Sequence, residues 1–223
     1  MKQRLLIVLV VLLCLTAFFA GIVAVQPEEF HITRSAVMKA TPDKVGERID
    51  HFKAWADWSP WAKLDPNSKE EFEGPAQGPG AIMKWSGNDE VGEGKMTILE
   101  TRPGEYIKIQ LDFIRPMVAS NLVEFQLEPQ GEETKVTWSM SGKNNFVGKA
   151  FHLIVDCDKM IGGDFEKGLN SMKALVEAPP ALTEEPQSKA KPDADAVLEK
   201  PAEVNKPSEQ SAPVDSVTTP PAP

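Results

Sequence analysis

EYIKIQLDFI, residues 105–114, decides the fold: Ile107, Ile109, Leu111 and Phe113 fall on one side of a period-two pattern, and Lys108, Gln110 and Asp112 on the other. The stretch reads as a strand with one dry and one wet face. The same alternation returns in SNLVEFQLE (120–128) through Val123, Phe125 and Leu127, and in TKVTWSMSG (134–142) through Val136, Trp138 and Met140. Outward from these, KEEFEG (69–74), GAIMKWSG (80–87) and GKMTILET (94–101) are strand-like runs parted by turn residues, and FHITRSAVMK (30–39) precedes them all. About seven antiparallel strands with a common dry face need a cover.

The cover is sought in FVGKAFHLIVDCDKMIGGDFEKGLNSMKALVE (146–177), which reads as one long helical segment. Ile154, Ile161, Phe165, Leu169, Met172 and Val176 share a stripe on a 3.6-residue period. Gly162 and Gly168 lie at the two edges of that stripe, and Gly163 points away. Each costs roughly 1 kcal/mol against alanine inside a helix, so a missing side chain at the edge of the buried face calls for a reason. After the first strand, Thr41-Pro42-Asp43 supplies an N-cap, a proline at the first helical position and an acid in the first turn for KVGERIDHF (44–52). A second short helical piece, KAWADW (53–58), stops at Ser59-Pro60. The class is α+β, a curved antiparallel sheet wrapped on a long C-terminal helix.

WADWSPWAKLDP (55–66), FEGPAQGPGAIMKWSG (72–87) and DKMIGGDFEKGLNSMK (158–173), in this order of elements, resemble the START-like superfamily of SRPBCC or polyketide cyclase/dehydrase type. The resemblance covers roughly residues 30–177 and implies a helix-grip fold with a cavity between sheet and C-terminal helix, the two short helices at its mouth. Candidate lining residues are Trp55, Trp58, Trp61, Trp85, Ile109, Leu111, Phe113, Phe125, Trp138, Met140, Asp158, Ile161, Gly162, Phe165 and Leu169. Three of the five tryptophans, Trp55, Trp58 and Trp61, stand within seven positions. They read either as a plug at the cavity entrance or as filling for the corner where the helices meet the sheet.

The two ends differ from the middle, giving a division into 1–26, 28–177 and 178–223. Leu5 to Val25, LLIVLVVLLCLTAFFAGIVAV, carries no charge and is long enough at ~1.5 Å per residue to cross a hydrocarbon core of ~30 Å. Lys2 and Arg4 before it predict a cytoplasmic N-terminus and an extracytoplasmic domain. A cleaved signal peptide is the rival; the length of the run and the large residues Phe18 and Ile22 at the −3 positions before Ala20 and Ala24 favour an uncleaved anchor. Beyond Val176 come ten of the 19 prolines and no aromatic residue, which predicts a disordered Pro/Ala/Glu-rich tail.

Chemistry is scarce. A net charge of −9 without a basic stripe speaks against nucleic acid. Two cysteines, Cys14 and Cys157, stand on opposite sides of the span's end, so no disulfide, metal site or cofactor is expected. His31, His51 and His152 lack ligand spacing. Two charges fall on apolar faces: Asp158 between Ile154 and Ile161, and Arg34 alternating with Ile32 and Ala36. Asp158 is a candidate for orienting a ligand's polar head or for general acid work, with a salt bridge as the structural alternative. The leading expectation is a membrane-tethered domain binding an apolar or amphipathic small molecule such as a lipid. The alternatives are a cyclase or dehydratase acting on a polyketide-like substrate, as the superfamily label suggests, and a ligand-free interaction module of the envelope.

Overall fold

The structure, a computed structural model, describes residues 1–179. Most of the expected tail thus lies outside the described residues. The elements run α1 (Lys2–Ala24), β1 (Glu29–Met38), α2 (Pro42–Asp50), a 3-10 turn (Phe52–Ala54), α3 (Trp55–Trp58), β2 (Lys69–Glu73), β3 (Ile82–Ser86), β4 (Glu93–Arg102), β5 (Tyr106–Arg115), β6 (Ala119–Gln130), β7 (Glu133–Lys143), α4 (Phe146–Ile154) and α5 (Cys157–Glu177). The seven strands form one antiparallel sheet in the order β1-β7-β6-β5-β4-β3-β2.

Local chemistry explains the boundaries. Thr41 caps α2, accepting from the Lys44 N–H, and Pro42 opens the helix as expected. The β6–β7 hairpin turns on Gly131, whose φ of 69° a side chain would resist. In β4 the register against β5 slips between Ile98 and Glu100, leaving Leu99 as an extra residue that bends the sheet. The dry face is dry: Ile107, Ile109, Val123, Phe125, Leu127, Val136 and Trp138 are all at most 3% exposed.

One expectation is corrected. Residues 146–177 are two helices, because the Asp156 carboxylate accepts the Lys159 N–H at 3.0 Å and so caps a new helix one residue after Val155 turns extended. Ile154 consequently leaves the buried stripe and is exposed, while Phe165, Leu169, Met172 and Val176 keep it. α4 is inverted relative to an ordinary surface helix: Lys149 is on its buried side, and its apolar residues Val147, Phe151 and Ile154 are exposed.

α1 is long enough and apolar enough to cross a membrane, with a mean hydropathy of 3.1 over its best window; a signal sequence would pass the same test. Only its last turn, at Val23, is buried, where it meets α4.

α5 is held to the sheet chiefly by Phe165, stacked on Trp138 of β7 at 4.1 Å between ring centroids and 8° between planes. Trp138→Ala is expected to lower unfolding free energy by about 3–5 kcal/mol, the usual cost of deleting a buried aromatic, measured by urea unfolding of the detergent-solubilised chain.

Candidate functional site

In an antiparallel sheet, directly paired residues share a face, so the register sorts the dry face into rungs. The rung Arg34, Trp138, Phe125, Ile107 runs across β1, β7, β6 and β5. It is filled from above by aromatic rings. Phe125 stacks on Trp138 at 4.9 Å, Trp58 meets Trp138 edge-on at 5.5 Å, and Trp55 meets Phe125 edge-on at 6.0 Å. Trp55 donates its ring N–H to the Ile49 carbonyl and Trp58 to the Arg48 carbonyl, both at 2.9 Å. Trp55 and Trp58 are buried among these rings; Trp61, half-buried, packs edge-on against Trp138 and Phe165.

The next rung, Ile32, Met140, Val123, Ile109 and Ile98, is also buried. The one after it opens. Phe30, Gly142, Asn121, Leu111, Met96 and Met83 are paired in sequence across six strands, and Phe30, Leu111 and Met83 are only half-buried. Phe113 and Trp85 extend this opening by one step, edge to face at 5.8 Å, with the Trp85 ring lying over Gly94, whose missing side chain makes the approach feasible. Ile161, one turn before Phe165 on α5, is likewise half-buried.

Asn121 is the polar member of this apolar rung. It is 8% exposed, its amide makes no side-chain hydrogen bond among the described residues, and its Oδ1 lies against Gly142, where a Cβ would collide with it. The sequence carried a signal for it: Asn121 continues the alternation of Val123, Phe125 and Leu127 and is polar where the pattern asks for an apolar residue. The sequence reading also passed over Phe30, Met83 and Met96, whose strands alternate less cleanly.

Asp158 and Arg34 turn out to be one feature. The Arg34 guanidinium donates to both Asp158 carboxylate oxygens at 3.2 and 2.9 Å, to the Asp158 carbonyl at 3.0 Å, to Glu166 at 2.8 Å and to the Thr33 carbonyl at 2.8 Å. Arg34 does face inward, yet Asp158 is not on the buried stripe; its side chain is 62% exposed and clamps β1 to the start of α5. Gly162 is glycine because the Arg34 guanidinium occupies the place a Cβ would take, and Gly168 because the Trp138 ring would stand 2.8 Å from one. The hydrogen bond from Arg34 is the largest influence on Asp158 and holds its carboxyl below the usual range, against opposing desolvation; Arg34 is raised in turn, first by Asp158 and then by Glu166.

A separate depression of about 440 Å³ lies at the opposite end of the sheet, lined by Arg102, Glu105, Tyr106 and Gln126 to Pro129. There the Tyr106 hydroxyl donates to Glu124 and is pushed well above the ordinary phenol value, by burial first and Glu124 second.

With this geometry in view, the comparisons are consistent. The family model for polyketide cyclase / dehydrase and lipid transport matches residues 29–177, and the chain belongs to that family. Among solved structures, protein CV1439 from Chromobacterium violaceum is similar at 18% identity with a TM-score of 0.50, covering 67% of this chain and 98% of its own. The Aha1 dimer from Colwellia psychrerythraea follows at 19% identity and a TM-score of 0.47, covering 66% and 96%. Such likeness concerns the fold alone. Comparison with curated proteins gave no significant match.

Two outcomes are expected from the clamp. Gly162→Ala should destabilise on balance, since overpacking at about 1–3 kcal/mol outweighs a propensity gain of about 1 kcal/mol; in an Arg34→Ser background the same change should stabilise, as read by urea unfolding. Asp158, whose folded pKa is depressed, contributes stability above the unfolded carboxylate value of about 3.9, lost as pH falls through the lower folded value. Asp158→Asn should therefore lower the melting temperature at neutral pH, with the gap to the native chain closing in more acid buffer, as calorimetry would show.

Proposed function

We propose that this chain is a membrane-tethered domain that binds an apolar or amphipathic small molecule, a lipid being the fitting class, in the open groove around Leu111. Leu111, Phe113, Trp85 and Ile161 supply apolar wall, Met140 and Ile109 its buried floor, and Asn121 a polar group for the ligand's head. Phe125, Trp138, Phe165 and Leu169 stand behind this floor as packed core, together with Trp55 and Trp58. The observation that carries the reading is the half-buried apolar rung beside the Asn121 amide, which makes no side-chain hydrogen bond among the described residues: such a surface gains by being covered, and such an amide is free to bond a ligand's polar head. Family membership supports the same class of ligand.

The tether is α1, with Lys2 and Arg4 on the cytoplasmic side by the positive-inside rule and the domain outside. The enzyme reading lacks a specific observation in its favour. Asp158, the acid it relied on, is paired with Arg34 and kept ionised at neutral pH, which makes it a poor proton donor.

The full chain, purified in mild detergent without delipidation and sprayed for native mass spectrometry, is expected to carry a co-purified small molecule. Leu111→Arg should release it, and Trp61→Phe, behind the buried rungs, should retain it. An apo mass for the native chain, or equal retention by both variants, would return the domain to the ligand-free reading.

A further inference from the structure

The groove opens at one particular end of the sheet, and the register says which. Glu29 pairs with Lys143 and Phe113 with Ala119, so the start of β1, the end of β7, the β5–β6 turn and the Leu111 rung all belong to the same end. The chain arrives there directly from α1: only Val25–Glu28 separate Ala24 from Glu29, a reach of ~17 Å even when extended.

That end is unusually apolar on its outside. At the end of β5 and on the β5–β6 turn, Ile114, Met117 and Val118 are 52%, 47% and 79% exposed. On α4, Val147, Phe151 and Ile154 stand at i, i+4 and i+7, one stripe of the helix, and are 58%, 43% and 79% exposed. The opposite side of α4 turns Lys149 inward, 8% exposed, to face Glu28 in the α1–β1 connection at 3.5 Å. A helix that buries its lysine and displays its aliphatic stripe is arranged for an apolar medium outside the protein. Lys143 and Lys159, exposed beyond the two ends of α4, suit a layer of phosphate headgroups.

We infer that this end of the domain docks on the bilayer that α1 crosses, with the α4 stripe and the β5–β6 turn dipping into the interface and the groove mouth held against the lipid. The inference rests on α1 being a retained span. Continuity favours the bilayer as the occupant over a second protein: α1 contacts α4 itself, so the exposed stripe begins where the span ends. Docking would let an amphipathic molecule pass between bilayer and groove without crossing water, which is where its apolar part costs most.

The test uses the full chain reconstituted in phosphatidylcholine vesicles, with and without brominated acyl chains as contact quenchers. An environment-sensitive fluorophore is placed singly on Val118→Cys, Phe151→Cys or Glu132→Cys in a Cys14→Ser background, Cys157 being buried. Native Cys14 carries the label in a fourth sample. Positions 118, 151 and 14 are expected to lose about half or more of their emission to the brominated lipid, and position 132, on the far hairpin, almost none. Quenching at 14 without quenching at 118 and 151 would overturn the docking and leave the span standing; this includes the case in which a second copy covers the face. No quenching at 14 would overturn the span reading and the docking with it. Quenching at all four positions would also overturn it, since contact would then not be confined to this end.

Discussion

The stacking of Phe165 on Trp138 organises the dry face. Two rings in near-parallel contact at 4.1 Å fix the height of α5 above the sheet at one rung, and Gly168 permits the approach by presenting no side chain to the Trp138 ring. The indole N–H of Trp138 has no partner among the described residues and is fully buried. Leaving such a donor unpaired costs about 1–3 kcal/mol, which the rings packed on Trp138 from above and beside it offset by apolar burial. With this level sealed, the rungs of the dry face lose their cover toward the end of the sheet that carries Phe30, Leu111 and Met83.

The Arg34 clamp complements the stack. It binds the first turns of α5 to β1, so that the helix has a second point of attachment beyond the aromatic one and its N-terminal end cannot drop onto the open rung. Gly162 belongs to this device: it yields its Cβ position to the guanidinium. Gly162 and Gly168 thus have two separate explanations, one cation and one ring, each standing where a Cβ would go.

Most of the fold was readable from alternation. The period-two pattern in β5, β6 and β7 named the dry face correctly, and Thr41-Pro42 named the start of α2, because both signals are local. The break at Asp156 was missed because the apolar period continued across it; the cap competes with helix continuation through one side-chain hydrogen bond that periodicity does not register. The tryptophan-rich turn pointed to the right corner of the molecule, but a count of rings does not reveal their burial, which depends on Phe125 and Phe165 arriving from distant parts of the chain. Leu111, Phe113, Trp85 and Ile161 were among the candidates for the groove, while Asn121 was passed over, since a single polar residue in an apolar pattern reads as noise until its neighbours across the sheet are known. The exposed stripe of α4 was legible as apolar residues and illegible as exposed ones, because the burial of Lys149 on its opposite side depends on Glu28, which arrives from a distant part of the chain.

The central claim is that ligand sits on the open rung and not among the tryptophans. Photo-crosslinking addresses it most directly: a diazirine-bearing fatty acid is irradiated with the full chain in detergent, and the modified peptides are mapped by mass spectrometry. The account predicts adducts on residues 82–86 and 106–115 and at Asn121, with none on residues 42–58. Adducts concentrated on Trp55 and Trp58, with residues 106–115 unmodified, would contradict it.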